Sequence, residues 1–239
     1  MNNMKKVLFF IGLIVLGLNP CYSQLEISQL SNNTYVYTTY KDLGAYVFGS
    51  NSMIIVSDSG IILLDTPWDT TQFQPLLDSL TFKFHKPVVL CIATHYHDDR
   101  TAGLEFFAKN GIKTYSSFQT LELCKKFGEK KAEFYFLNDT TFEIGNLRIQ
   151  TYFPGGGHTK DNIVVWIENE KILYAACFVK STDSRNLGNL NDADLMHWSA
   201  SLEKVKKKFP NPTYIIPGHQ SWKDNNSIEH TLKLLEKQR

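Results

Sequence analysis

Apolar and polar positions along the chain follow two rhythms, a period of two and a period near 3.6, and each rhythm predicts an element. "NTYVYTTY" (Asn33 to Tyr40) alternates and is rich in β-formers, so it predicts a strand. "MIIVSDSGIILLDT" (Met53 to Thr66) predicts strand, turn at Asp58-Ser59-Gly60, strand. "DTTQFQPLLDSLTFKF" sets Phe73, Leu77, Leu80 and Phe84 on one helical face, with Pro75 in the first turn. "KPVVLCIATH" is a continuous apolar run, as expected of a strand covered on both faces. "TAGLEFFAKNGI" predicts a helix stopped by Gly111.

The second half repeats this grammar. "TTFEIGNLRIQTYF" predicts a hairpin turning at Gly145-Asn146, and "NIVVWIENEKILYAAC" (Asn162 to Cys177) predicts another. "LMHWSASLEKVKKKF" places Leu195, Trp198, Leu202, Val205 and Phe209 on one stripe. "TYIIPGH" is a strand ending in a histidine. "SIEHTLKLLEKQR" predicts a helix with Ser227 as its N-cap and Ile228, Leu232 and Leu235 inward. One solution buries every one of these faces. It is an α/β protein in the form of an αββα sandwich: two mixed β-sheets face to face with helices on the outer faces, in two pseudo-repeated halves.

Composition changes this picture little. The chain has 239 residues, 43% hydrophobic and 21% charged, with a formal net charge of +1. No long block of one sign is present, so electrostatics give no case for a nucleic acid or a membrane surface as partner, and none is expected. The lysines of "KVKKKF" (Lys204 to Phe209) read as the solvated side of a helix.

The N-terminus stands apart. "MNNMKK" is polar and basic, "VLFFIGLIVLGL" (Val7 to Leu18) is twelve residues without a charge, and "NPCYSQ" supplies a breaker and small residues. This is the three-part plan of a secretory signal peptide, too short to span a bilayer comfortably. Cleavage after Ser23 leaves residues 24–239 as a single exported domain, with 23 basic and 24 acidic residues. The expected location is the periplasm, without membrane attachment. Acylation of Cys21 is the alternative, but "LNPC" is a poor lipobox. The mature chain keeps Cys91, Cys124 and Cys177, and three thiols cannot all pair within one chain. Cys91 reads as a small core residue.

The candidate chemistry lies at the ends of the apolar strands, where a rigid scaffold presents binding groups. "CIATHYHDDRTAGL" (Cys91 to Leu104) runs from strand into His95, His97 and Asp99. In extended chain, positions i, i+2 and i+4 project to one side. His158 follows "IQTYFPGGG", Cys177 ends "KILYAA" and His219 ends "TYIIPG". Of seven histidines these four obey the rule, whereas His85, His197 and His230 sit in or beside helices as surface or boundary residues. Imidazole, thiolate and carboxylate are the usual zinc ligands, and six of them suit two ions, each keeping a position for water. A zinc-bound thiolate also accounts for the odd cysteine.

"THYHDDRTAGL", "GGGHTKDNIVVW", "AACFVKS", "LGNLNDADL" and "IIPGH", in this order, closely resemble the metallo-β-lactamases, and within them the di-zinc subclass B1. The resemblance covers essentially all of Leu25 to Arg239. It implies a first zinc ion on His95, His97 and His158, and a second on Asp99, Cys177 and His219. Lys180 would bind the carboxylate of a β-lactam substrate, with Asn189 beside its carbonyl. Residues Thr38 to Asn51 would form a mobile flap, Trp68 an aromatic pocket edge, and Asp65 a structural acid. The implied reaction is hydrolysis of penicillins, cephalosporins and carbapenems by zinc-bound hydroxide, conferring antibiotic resistance. In this reaction Asp99 orients the nucleophile and Asn189 helps stabilise the oxyanion. The family is usually monomeric.

Two departures are visible. Ala175-Ala176 stands where Gly-Gly commonly precedes the cysteine, and Asp192 and Asp194 make an acidic loop expected to weaken binding of some anionic drugs. Other hydrolases of this fold, such as glyoxalase II-type thioesterases or nucleases, usually carry His after the Asp of the first motif and a bridging Asp in place of the cysteine. Here Arg100 and Cys177 occupy those positions. A zinc-storing or zinc-sensing protein would have no need of Asp99 or of the Lys180–Asn189 pair.

Overall fold

The computed structural model describes residues 25–238. The expected signal peptide, and with it Cys21 of the alternative acylation site, lies outside them. Strands β1 (Leu25–Gln29), β2 (Thr34–Asp42), β3 (Val47–Ser57) and β4 (Gly60–Leu64) meander antiparallel. Helix α1 (Phe73–Phe84) then crosses to β5 (Val88–Ile92), parallel to β4. Helices α2 (Asp98–Thr101) and α3 (Leu104–Lys109) lead to β6 (Lys113–Ser117), and α4 (Phe118–Phe127) to β7 (Phe134–Phe136), completing a seven-stranded sheet. The five-stranded sheet holds β8 (Thr141–Ile144), β9 (Leu147–Tyr152), β10 (Val164–Ile167), β11 (Ile172–Ala176) and β12 (Tyr214–Pro217). Helix α5 (Leu195–Lys208) joins β11 to the parallel β12, and α6 (Ser227–Glu236) ends the fold. No helix of the described residues is long and apolar enough to cross a membrane.

The period of two in the strands divides their side chains between layers. Met53, Ile55, Ile62, Leu64, Leu90 and Ile92 face inward and meet Ile149, Val165, Ile172, Tyr174 and Ile216 of the other sheet. Their neighbours Ile54, Ile61, Leu63 and Cys91 face outward under Leu76, Leu80, Leu104 and Phe107. Val164, Leu173 and Ile215 pack likewise under Trp198, Leu202, Val205 and Ile228. The fold is therefore the expected αββα sandwich of two mixed sheets. Both sheets are covered on both faces, which is why β4, β5 and β11 read as unbroken apolar runs.

Several local details differ from the sequence expectation. The inward face of α1 centres on Phe73, Leu76 and Leu80, while Leu77 and Phe84 lie at its half-buried margin. Leu195 is exposed, so the α5 stripe begins at Trp198. Ser227 is the first residue of α6 rather than its cap, and its hydroxyl donates to Asp224 O (3.0 Å). The helical run after the first motif starts inside it, at Asp98, and breaks around Gly103. Cys91, Cys124 and Cys177 are all free and buried.

Candidate metal centre

The chain ends of β5, β9, β11 and β12 open on one edge of the sandwich and carry the predicted ligands there. His95 lies two residues beyond Ala93, fully buried. Thr94 fixes its ring. The Thr94 hydroxyl donates its one proton to Asp65 Oδ2 (2.9 Å), so toward His95 Nδ1 (3.2 Å) it can only accept. The proton therefore sits on Nδ1, and the bare Nε2 is buried with no hydrogen-bond partner. An orphaned buried acceptor is costly unless a cation meets it.

His97 is set in the opposite sense. Its Nε2 faces Asp192 Oδ2 (3.1 Å), which leaves Nδ1 turned toward His158 Nε2 (3.2 Å). The rings of His95, His97 and His158 stand at the corners of a nearly equilateral triangle, with centroids 5.0, 5.1 and 5.0 Å apart. Burial lowers the pKa of His95 and His158 well below the ordinary histidine value, so both are neutral, the form that ligates metal. His158 Nδ1 is also buried without a partner.

Asp99, Cys177 and His219 make a second group. Cys177 Sγ lies 3.6 Å from Asp99 Oδ2 and 3.3 Å from His219 Nε2, which is itself 3.2 Å from Asp99 Oδ2. Ligands held tetrahedrally at zinc bond lengths stand roughly 3.3–3.6 Å from one another. These donors therefore have the spacing of ligands around a single ion. The His95–His97–Asp99, His95–His158–Cys177 and Asp99–Cys177–His219 sets can each hold a metal ion. His219 donates through Nδ1 to Gly49 O (2.8 Å), which frees Nε2 for the cluster. Burial pushes the His219 pKa down, but Cys177 and Asp99 outweigh it and raise the pKa to about 9 in the metal-free protein.

Arg100 underlies this group, although its place in the first motif suggested no role beyond not being histidine. Its fully buried guanidinium pairs with Asp99 (2.8 Å) and Asp65 (3.6 Å). It also donates to Cys177 Sγ (3.1 Å), Gly218 O (3.0 Å) and Asn51 O (2.7 Å). Burial alone would raise the Asp99 pKa, but Arg100 and His219 hold it well below the carboxylate range. Gly218 lies so close that an added Cβ would fall 2.6 Å from the guanidinium and 2.7 Å from the Cys177 nitrogen. Asp65 accepts from Thr94 N (2.6 Å) and from the Tyr174 hydroxyl (2.5 Å), so it supports the site from behind. Its φ of +64° and the +46° of Ala176 place left-handed backbone at the ends of β4 and β11.

The two groups open into a cleft of about 910 Å³ lined by Trp68, Tyr96, Phe127, Lys180 and Asn189, among others. Lys180 is half-buried, with its ammonium 5.5 Å above the Trp198 ring. Asn189 is exposed on the opposite loop, and its side-chain oxygen accepts from Asn191 N (3.1 Å). Trp68 sits 6.2 Å from the His219 ring, at the cleft's edge. The flap segment is a β-hairpin, β2 and β3 turning at residues 43–46. The acidic loop is not a free negative patch: Asp192 is engaged by His97, and Asp194 caps α5 by accepting from His197 N. Arg100, Asp192 and the flap's grip on His219 all depend on contacts between segments far apart in the chain. No local pattern in the chain signals them.

Residues 45–219 match the family model described as the metallo-beta-lactamase superfamily. The chain is 39% identical over 212 residues to a type 2 metallo-beta-lactamase of Elizabethkingia meningoseptica, covering 89% of this chain and 85% of that one. It is 38% identical over 208 residues to a metallo-beta-lactamase of Chryseobacterium indologenes, covering 87% of each. A solved metallo-beta-lactamase from Pontibacter korlensis superposes with a TM-score of 0.86 at 35% identity, over 89% of this chain and 99% of that one. Likeness of this extent, in sequence and fold together, makes the chain a member of the metallo-β-lactamase superfamily, and an enzyme.

Proposed function

We propose that this enzyme is a di-zinc metallo-β-lactamase of subclass B1 that hydrolyses the amide of penicillins, cephalosporins and carbapenems and so confers antibiotic resistance. The observation that carries this reading is the Asp99–Cys177–His219 group at 3.2–3.6 Å beside a triangle of three imidazoles. Thioesterases and nucleases of this fold usually have a bridging Asp at the position of Cys177. When bound, zinc would lower the pKa of its water to about 7 and would place positive charge against a developing oxyanion.

The chain's own residues do the rest. The Asp99 carboxylate, kept ionised by Arg100, orients the attacking water. The Lys180 ammonium pairs with the substrate carboxylate, and the Asn189 amide donates to the lactam carbonyl once it turns from its own loop. Trp68 and the flap close the apolar side of the cleft. Export to the periplasm by residues 1–23, and action as a monomer, belong to the same proposal and rest on the sequence and the family resemblance. The test is a substrate panel run on the zinc-loaded chain from residue 24. Turnover of imipenem, a penicillin and a cephalosporin is expected. Turnover of thioesters or phosphodiesters with none of these would overturn the reading.

A further inference from the structure

The flap hairpin does more than roof the cleft. Strand β3 is stitched to the turn that carries His219. Asn51 N donates to Gly218 O (2.8 Å), and the Asn51 amide donates to Pro217 O (3.1 Å) and Gln220 O (2.8 Å). Gly49 O accepts a hydrogen bond from His219 Nδ1 (2.8 Å). Phe48 stacks its ring on the His219 imidazole at 4.8 Å and 27°. Strand β2 holds the other flank of the same donor group. Lys41 pairs with Asp98 (3.0 Å), the neighbour of Asp99, and lies 4.9 Å over Trp68. Gln72 Nε2 ties the Tyr40 carbonyl down at 2.6 Å. At the free end of the hairpin, Leu43, Tyr46 and Val47 are exposed apolar residues, and Leu43 and Tyr46 line the cleft.

We propose that the flap is a positioning element for the second metal site, with Phe48 as its contact residue, so that flap position and metal occupancy at Asp99–Cys177–His219 are coupled. This rests on the two-metal reading above, but not on the identity of the substrate. The physical reason is rotational. One hydrogen bond to Nδ1 fixes a point on the imidazole and leaves the ring free to turn about it, whereas a stacked ring removes that turn. Groups behind a metal ligand that fix its orientation are typically worth about 10–100-fold in affinity. Coupling is reciprocal, so the metal must steady the flap by the same factor that the flap tightens the metal. A substrate that draws the apolar tip down then tightens His219 on its ion, and one that lifts the tip loosens it.

Cobalt(II) titration tests this without any substrate, because a thiolate-to-cobalt absorption band arises only where Cys177 is a ligand. In competition with a chelator, Phe48→Ala should weaken the cobalt ion reported by that band by about 10–100-fold. The ion on the three histidines should keep its parent affinity, Phe48→Tyr should retain the band, and Leu43→Ala at the tip should leave both affinities unchanged. Amide hydrogen exchange in β2 and β3 of the parent should slow on the second equivalent of metal, but not in Phe48→Ala. Metal-free melting checks that each variant is folded, and Phe48→Leu carries the same test if Phe48→Ala is not. A Phe48→Ala protein with the parent's band and affinity overturns the coupling, as does a parent that shows no band. Absence of β-lactam turnover with the band and its Phe48 dependence intact would sink the proposed function and leave the coupling standing.

Discussion

Replacing Arg100 by alanine removes the one guanidinium that faces both Asp99 and Asp65 at the bottom of the site. The side chain is fully buried, and it pairs with carboxylates at 2.8 and 3.6 Å. Removing one partner of a buried ion pair costs about 3–5 kcal/mol, because the remaining charge stays desolvated. For a chain of this size each kcal/mol moves the melting temperature by about 2–4 °C, so the metal-free variant should melt roughly 6–20 °C lower. Asp65 adds a pH signature. Burial already raises its pKa to about 6 against the opposing Arg100 charge, and without Arg100 it must rise further. A carboxyl whose folded pKa lies above its unfolded value binds more protons in the folded state. Its stability cost is therefore absent well below the unfolded pKa and grows as pH rises to the folded pKa. The loss in Arg100→Ala should thus be larger at pH 8 than at pH 6. Urea unfolding of chelator-treated parent, Arg100→Ala and Arg100→Met at both pH values measures it. Arg100→Met keeps much of the volume and separates charge from cavity. A loss below about 1 kcal/mol, or one that does not vary with pH, would rule out a desolvated pair, because a solvent-screened surface pair behaves that way.

Ala176→Gly should stabilise the protein by about 1 kcal/mol in thermal melting, because a left-handed φ of +46° strains alanine and not glycine. A lower melting temperature would show that the methyl packs well enough to offset the strain. Thr94→Val keeps the shape but removes the acceptor that fixes the His95 tautomer, so zinc affinity at the three-histidine site should fall about 10–100-fold in chelator competition. Unchanged affinity would mean that packing alone orients the ring. The raised His219 pKa, about 9 without metal, stabilises the metal-free fold fully below the ordinary histidine pKa and is lost as pH rises through the folded value. The second metal must then displace that proton, so calorimetric titration at pH 7 in buffers of different ionisation enthalpy should show proton release. Release confined to the first metal ion would contradict the assignment.

What could be read from the chain was what repeats or crowds locally. β4, β5 and β11 announced themselves because both of their faces are covered, and His95, His97 and Asp99 because alternate residues at a strand's end point together. Arg100 could not be read in this way. Its partners Asn51, Tyr174, Cys177 and Gly218 come from three other segments, and nothing in "HDDR" distinguishes a surface arginine from a buried one. Asp192 resembled a loop charge until the fold brought it to His97. Ser227 fitted the pattern of a helix cap, yet its hydroxyl closes the preceding turn instead. Asp65 was identified by resemblance alone, since its role depends on Thr94 and Tyr174 meeting it inside the sandwich.

The central claim is that two groups of three donors hold two zinc ions for hydrolysis of a β-lactam amide. Its most direct test is zinc content measured alongside imipenem turnover, on the chain from residue 24 as isolated, after chelation, and after zinc is restored. Near two zinc ions per chain are expected, with turnover lost on chelation and regained as zinc returns. Turnover that survives complete removal of metal, or two bound zinc ions with no turnover of imipenem, a penicillin or a cephalosporin, would contradict it.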